Sequence, residues 1–482
     1  MIPELRPYQT DLVNGVRAAR LDGKRIIVVQ APTGAGKTNV MAHIVKSALE
    51  KGSPTLCMVH RRRLVDQISD RLRQFEVPHG VLMRGDIYDR NKFVQVASRD
   101  TVTSRCLNNE WVGMPPARLV IVDEGRHAAS PDSEYRRVLE HYPDATVLLF
   151  DATPVGPDGQ GLGPWAQALV CCAPTSQLIR DGHLCPVRVY APERKKKGRK
   201  FLKGIAGDLV ESWQQYAENR PTVLFCSRVQ HSLDAVEAFN NEGIAAVHVD
   251  ADTPDDERDR AFNAVATERI KVLSNVGIIG EGVDVPELTC CQFYCEVGGR
   301  VRWMQGVGRV MRPAEGKSYG IVIDHSGAVF RHGFPDEDTP WTLNGNADVD
   351  YKAKHDDPNA DKTFYCRWCE IAYRGQEQCP QCGRMPAPPP RSIFAPDPVR
   401  STSEILTEAD RNGGREHSRD EKIAHWFRCL SIARKRNGTF AMASVIFRQK
   451  YGHWPHDDFP MMSNRRREKV RVLFPDFMRS RV

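Results

Sequence analysis

No stretch of this 482-residue chain carries about 18 uninterrupted apolar residues, the length a membrane-crossing helix needs. A membrane span is therefore not expected. The first residues, MIPELRPYQT, lack the basic-then-apolar pattern of a secretory leader. The 14 cysteines do not form a disulfide-type ladder either: Cys57, Cys106, Cys226 and Cys290 each stand inside an apolar segment. Cysteines scattered in this way point to a reducing, cytoplasmic setting rather than a disulfide scaffold.

What is present is ordinary in bulk and uneven in detail. The chain is 41% apolar and 27% charged, as soluble globular proteins are. Its length suits two to four domains of roughly 100–200 residues. The net charge is +7, yet residues 411–482 hold 17 Lys/Arg against 7 Asp/Glu, so the rest of the chain is slightly acidic. A second basic run is ERKKKGRK, at 193–200. Such runs suit a polyanion, nucleic acid above all, or form a solvated charged surface.

Short apolar runs alternate with helical patterns through the first half. RIIVVQ (25–30), TLCMVH (55–60), RLVIVD (118–123) and TVLLFDATP (146–154) read as buried strands. The pattern restarts with PTVLFCS (221–227), AAVHVD (245–250), RIKVLSN (269–275) and YGIVIDH (319–325). Buried strands separated by helices argue for parallel sheets covered on both faces. The expected organisation is an α/β domain at 1–190, a basic linker at 191–204, a second α/β domain at 205–345 and a cysteine module at 360–385. A Pro-rich linker at 386–405 and a basic helical tail at 406–482 complete it.

The run APTGAGKT (31–38) follows a strand and opens a helix, the setting a phosphate-binding loop requires. Thr33, Gly34, Ala35 and Gly36 would wrap backbone N–H groups around phosphate, Lys37 would reach the terminal phosphates, and Thr38 would bind Mg²⁺. Ala31 stands where the strict pattern has glycine. Downstream, the strand at 118–123 ends in Asp123-Glu124: the first suits a Mg²⁺ ion, the second an attacking water.

Together with these, several ordered motifs resemble the superfamily 2 DExD/H-box (DEAD/DEAH-box) helicases over about residues 4–325. They are LRPYQ (5–9), VHRRRLVDQ (59–67), VASRDTVTSR (96–105), DATP (151–154), LFCSRVQHS (224–232), VGIIGEGVDVP (276–286) and QGVGRVMRP (305–313). The resemblance implies two RecA-like domains with ATP in the cleft between them. It implies that Gln9 reads the adenine, that Asp284 contacts the ribose, that Arg309 and Arg312 act across the cleft on the γ-phosphate, and that Gln305 of the same motif is among the catalytic residues. It further implies an ATP-dependent helicase or translocase with nucleic acid, DNA ahead of RNA, as partner. The layout is similar to RadD-like bacterial and phage helicases, which suggests DNA repair, recombination or phage replication. An ATP-gated clamp with little unwinding, an ATPase-deficient nucleic-acid binder and an RNA helicase are the alternatives. No nuclease-type carboxylate cluster is visible.

The chain departs from that family in VDEGRHAAS (122–130). Gly125-Arg126 stands where Ala-His is common, and Asp151 stands where the third motif has Ser or Thr. In the family those two positions couple hydrolysis to nucleic-acid binding. Both differ here, and guanidinium and carboxylate can bond bidentately, so an Arg126–Asp151 ion pair is expected to replace the usual hydrogen bond. His127 is a second candidate, though one residue along a helix turns a side chain by ~100°. Gly280 replaces a common Thr, and Arg63 replaces a common Glu, adding charge on an expected nucleic-acid face.

Cys366, Cys369, Cys379 and Cys382 form a Cys-x2-Cys-x9-Cys-x2-Cys set, which suits a structural Zn²⁺ with no open coordination position. Nearby Trp368, Tyr373, Arg367 and Arg374 could stack on bases or pack the ribbon. The tail either contacts phosphates or packs as a charged helical pair.

Overall fold

The computed structural model describes residues 2–385 except 61, 85–87, 109–112, 157–158, 164, 192–195, 198–199, 202–207, 278–287, 346–362, 367, 375 and 377. The Pro-rich linker, the basic tail, Gly280, Asp284 and Arg367 lie outside the described residues, as does most of 276–286.

The first sheet contains β1 (Ile26–Gln30), β2 (Thr55–Val59), β3 (Gly80–Leu82), β4 (Val94–Ser98), β5 (Leu119–Asp123), β6 (Thr146–Asp151) and β7 (Ala168–Cys171). Its order is β3-β4-β2-β5-β6-β1-β7, and every pair is parallel. β1 and β2 are buried along their whole length, which is why they read as largely apolar runs, whereas β4, equally buried, carries Gln95 and Ser98 and does not. Helix α1 (Pro7–Leu21) starts with proline at its first turn and buries Leu12, Val13 and Val16 on one face. Helix α2 (Lys37–Glu50) follows β1, and α3 (Arg62–Gln74) follows β2, burying Leu64, Val65, Ile68 and Leu72.

The second sheet begins with β8 (Val187–Tyr190). After a small hairpin, β9 (Lys196–Lys197) and β10 (Lys200–Phe201), it continues with β11 (Thr222–Phe225), β12 (Ala246–Val249), β13 (Val272–Asn275), β14 (Cys290–Phe293) and β15 (Gly320–Asp324). β16 (Phe364–Tyr365) and β17 (Ile371–Tyr373) complete it, in the order β12-β13-β11-β14-β15-β8-β17-β16. The first six strands of that order are parallel; β17 runs antiparallel to β8. Thus β8, which the sequence reading places at the end of the first domain, pairs with β15. The chain changes sheets before the basic run, not after it. The cysteine hairpin β16–β17 is the antiparallel edge of the same sheet.

Residues 333–345 lead back to the first sheet's side of the molecule. Trp303 Nε1 donates to Gly333 O (2.9 Å), and Arg300 donates to Thr339 Oγ1 (2.7 Å). Ser176 donates to Asp338 through N (2.9 Å) and Oγ (2.6 Å), and Gly163 N donates to Leu343 O (2.8 Å). No helix among the described residues is long and apolar enough to cross a membrane.

Candidate functional site

The strand order sets the site. In parallel α/β sheets, ligands lie beyond the carboxyl ends of the strands. Here β6 lies between β1 and β5, with Gln30 opposite Asp151 and Asp123 opposite Phe150. Asp151 therefore stands between the glycine-rich loop and the acidic strand end, and its backbone O accepts from Ala31 N at 3.0 Å.

Gly34 and Gly36 have φ of +90° and +77°, which side-chain-bearing residues rarely adopt. Gly36 caps α2 and Lys37 opens it, so the helix N-terminus faces the loop. Lys37 Nζ lies 3.5 Å from Ala31 O. Tyr8 Oη and Gln9 Nε2 both donate to Ala35 O at 3.0 Å, and Gln9 Oε1 accepts from Arg6 N at 3.1 Å. The Tyr8 ring lies 4.9 Å from that of His183. Thr33 and Thr38 are half-buried in the same loop.

Burial, then the neighbouring Glu124 charge, pushes the Asp123 carboxyl up to about 7, with Lys37 opposing. Carboxylates crowded in this way are the donor set a hard divalent cation stabilises, so the site fits Mg²⁺. Glu124 adopts φ +57°, a left-handed conformation costing about 1 kcal/mol or more in a non-glycine residue. The chain bends sharply there into the turn Gly125–Ala128. Gly125 packs so closely on β6 that a Cβ would fall 2.7 Å from Leu149 Cβ and 3.0 Å from its Cα.

That contact brings Arg126 onto Asp151. Arg126 N donates to Asp151 Oδ2 at 2.8 Å, and Nη1 lies 3.1 Å from Oδ1 and 3.3 Å from Oδ2. Nη1 also pairs with Glu124 Oε2. Asp151 is fully buried and also accepts from Thr153 N at 2.8 Å. Burial raises its carboxyl pKa, and the Arg126 charge opposes the rise. The His127 ring lies instead between those of His60 (5.1 Å) and Tyr135 (6.4 Å).

The second domain closes the site through the helix Arg300–Gly308 and the turn after it. A Cβ on Gly308 would meet Thr33 Cβ at 2.6 Å, and one on Gly34 would meet Arg312 Cγ at 3.2 Å. The QGVGR stretch thus sits directly on the glycine-rich loop. Gln305 and Arg309 are buried, and desolvation lowers Arg312 to about 10. With its amide oriented to satisfy both ends, Gln305 Oε1 accepts from Arg126 Nη1 (2.8 Å) and Nη2 (2.9 Å). Sequence spacing gave no sign of this contact, because it joins two domains. Arg63, expected on a nucleic-acid face, instead lies 3.4 Å from Asp259 and 4.4 Å from the Phe262 ring, both in the second domain. β4 is followed by a π-helical turn, Val102–Leu107, a rare form often found at functional sites.

The four cysteines converge. Their sulfurs lie within 4.8 Å of one another, with Cys366–Cys382 and Cys369–Cys379 each at 3.5 Å. A tetrahedron with Zn–S bonds of about 2.3 Å has edges close to these, so the residues fit zinc. Tyr373 is buried, and Arg374 pairs with Asp336 (3.3 Å) and Glu337 (2.6 Å), so both pack the hairpin rather than face outward. Trp368 is half exposed beside Arg384.

Comparison with known proteins agrees with this layout. Residues 2–156 match the family of type III restriction enzyme res subunits, and residues 205–314 match the helicase conserved C-terminal domain. A 51.5 kDa protein of a Lactococcus phage is 32% identical over 329 residues, 65% of this chain and 68% of that protein. A Schizosaccharomyces pombe protein described as a mitochondrial ATP-dependent helicase, irc3, is 28% identical over 67% of this chain but only 57% of its own length. Among solved structures, a fragment of an HsdR subunit of a type I restriction enzyme from Vibrio vulnificus superposes with a TM-score of 0.53 at 18% identity. It covers 70% of this chain and 67% of that one.

Proposed function

Because this chain belongs to the superfamily 2 DExD/H helicases, a class of ATP-hydrolysing enzymes, we propose that its cleft couples ATP hydrolysis to stepwise movement along nucleic acid. One observation supports this most: the glycine-rich loop, the acidic end of β5 and the Gln305–Arg312 turn of the other domain meet at one point. Phosphate held by the amides of residues 33–38 and by Lys37 would lie between both domains. Thr38 and Asp123 would hold Mg²⁺, which when bound neutralises charge on the phosphate oxygens. Glu124 would orient and deprotonate the attacking water, and Arg309 and Arg312 would neutralise charge developing on the γ-phosphate. Gln9 would sense the base, and Asp284 would contact the ribose.

The Arg126–Asp151 pair takes the place of the family's hydrogen bond between the second and third motifs, so hydrolysis is retained and its coupling altered. DNA is favoured over RNA: the family matched by the first domain is named for a restriction enzyme, and the strongly basic 411–482 segment suits a polyanion. Zinc in the four-cysteine site would be structural. The competing reading is a nucleic-acid clamp that hydrolyses little. Phosphate release titrated with single-stranded DNA, duplex DNA and RNA, beside strand displacement, separates them. The expected result is DNA-stimulated hydrolysis that Lys37→Ala reduces by about 100-fold or more. Equal phosphate release from both proteins on every polynucleotide would sink the proposal.

A further inference from the structure

We propose that Arg126 is a positioning residue for Glu124, and that the second domain controls it through Gln305. This rests on the reading of Glu124 as the water-activating carboxylate. The guanidinium serves three acceptors at once. Nη1 meets Glu124 Oε2, both carboxylate oxygens of Asp151 and Gln305 Oε1, and Nη2 also meets Gln305 Oε1. Arg126 is only 5% exposed, so water screens these charges poorly.

The three contacts differ in permanence. Asp151 is fixed to its own domain, because its carboxylate also accepts from the backbone N of Arg126 and of Thr153. It anchors the inner side of the guanidinium. Gln305 arrives from the other domain, so its contact exists only when the cleft is closed. Glu124 sits at a strained bend and takes its orientation from whatever holds its side chain. A contact at Oε2 limits where the carboxylate can point, and the group keeps further lone pairs to accept a proton. Closure therefore locks Arg126, and Arg126 locks the carboxylate.

Neither family alternative at position 126 could do this. Aspartate would repel both neighbouring acids. Imidazole offers at most one N–H on each of two opposed ring nitrogens, whereas Nη1 and Nη2 present four N–H donors along one edge toward these acceptors. The changes at 125, 126 and 151 form one unit: glycine permits the close approach to β6, and arginine and aspartate make use of it.

The test separates nucleotide affinity from turnover. Arg126→Lys keeps the charge beside Asp151, so folding is preserved, but its three donors point tetrahedrally from one atom and it lacks the second nitrogen that reaches Gln305. With saturating nucleic acid, the variant should lose about 100-fold in kcat, the cost of a misplaced catalytic group. Its affinity for a fluorescent MgATP analogue should stay within about threefold of wild type. Gln305→Ala should lower kcat in the wild-type background and change little in the Arg126→Lys background, since both remove the same lock. Turnover that rises in Arg126→Lys, or losses from the two substitutions that simply multiply, overturns the proposal. Glu124→Gln supplies the control. If it hydrolyses at the wild-type rate, the reading of Glu124 fails. If it is inactive while Arg126→Lys turns over normally, only the positioning role fails.

Discussion

Asp123 concentrates the conflict between burial and charge in this cleft. Its carboxyl is pushed up to about 7 by desolvation and by Glu124, while in an unfolded chain it would sit near 3.8. Between those values the folded protein holds a proton that the unfolded chain has released. Stability from this group therefore falls as pH rises from about 4 to 7, because the native state binds more protons. In chelator without nucleotide, the urea midpoint should decline across that window more steeply in the wild type than in Asp123→Asn. Equal slopes would show that the carboxyl ionises normally. A cation at the site competes with the same proton, so MgATP affinity should strengthen as pH rises through 7.

At the scale of elements, the junction of β5 with the turn Gly125–Ala128 shows how backbone packing dictates side-chain chemistry. Alanine is the residue expected at 125 by family resemblance, yet here its Cβ would lie 2.7 Å from Leu149 Cβ and 3.0 Å from the Leu149 backbone. Backbone on a central strand cannot yield as a flexible side chain can. Gly125→Ala should cost about 1–3 kcal/mol of stability. It should also reduce turnover, because the strand-end acids shift with it; denaturant unfolding and ATPase assays read both effects. A fully stable, fully active variant would mean that β6 gives way freely. The same element shows what a sequence discloses. β1, β2, β5, β6, β11, β13 and β15 are legible because they are largely apolar runs buried on both faces, and β12, a partly buried edge strand, is legible from its valines. β7 is not, since it is a partly exposed edge strand, nor is β3, which is three residues long. β8 falls inside the expected first-domain bounds yet pairs in the second sheet, because a short strand carries no mark of its partner. The glycine-rich loop, the acids and the cysteines were legible from local spacing. The Gln305–Arg126 contact and the engagement of Arg63 by the second domain were not, because they form only when distant segments fold together.

At the scale of the whole molecule, one sheet joins the four-cysteine cluster to the second domain. β17 pairs with β8, placing Ile371 opposite Tyr190 and Ala372 opposite Val189, and Ala191 N donates to Glu370 O at 3.1 Å. Tyr216 Oη donates to Glu370 Oε2, and the Tyr190 and Tyr216 rings stack at 4.6 Å. Arg374 ties the hairpin to Asp336 and Glu337, next to Asp338, which binds Ser176. A hairpin whose strands are two and three residues long cannot hold its register alone. Four thiolates around zinc would supply what its hydrogen bonds cannot. Zinc should be found at about one per chain by metal analysis. Cys379→Ser should remove it, and the loss should appear first in β8. Amide exchange across Val187–Tyr190 should accelerate about tenfold or more, while β11 and β13, on the far side of β14 and β15, keep their protection. If exchange in β8 is unchanged when the metal is gone, the hairpin is an appendage rather than the sheet's last strands. The path from cysteines through Arg374 and the 333–345 segment to Ser176 would then carry no load.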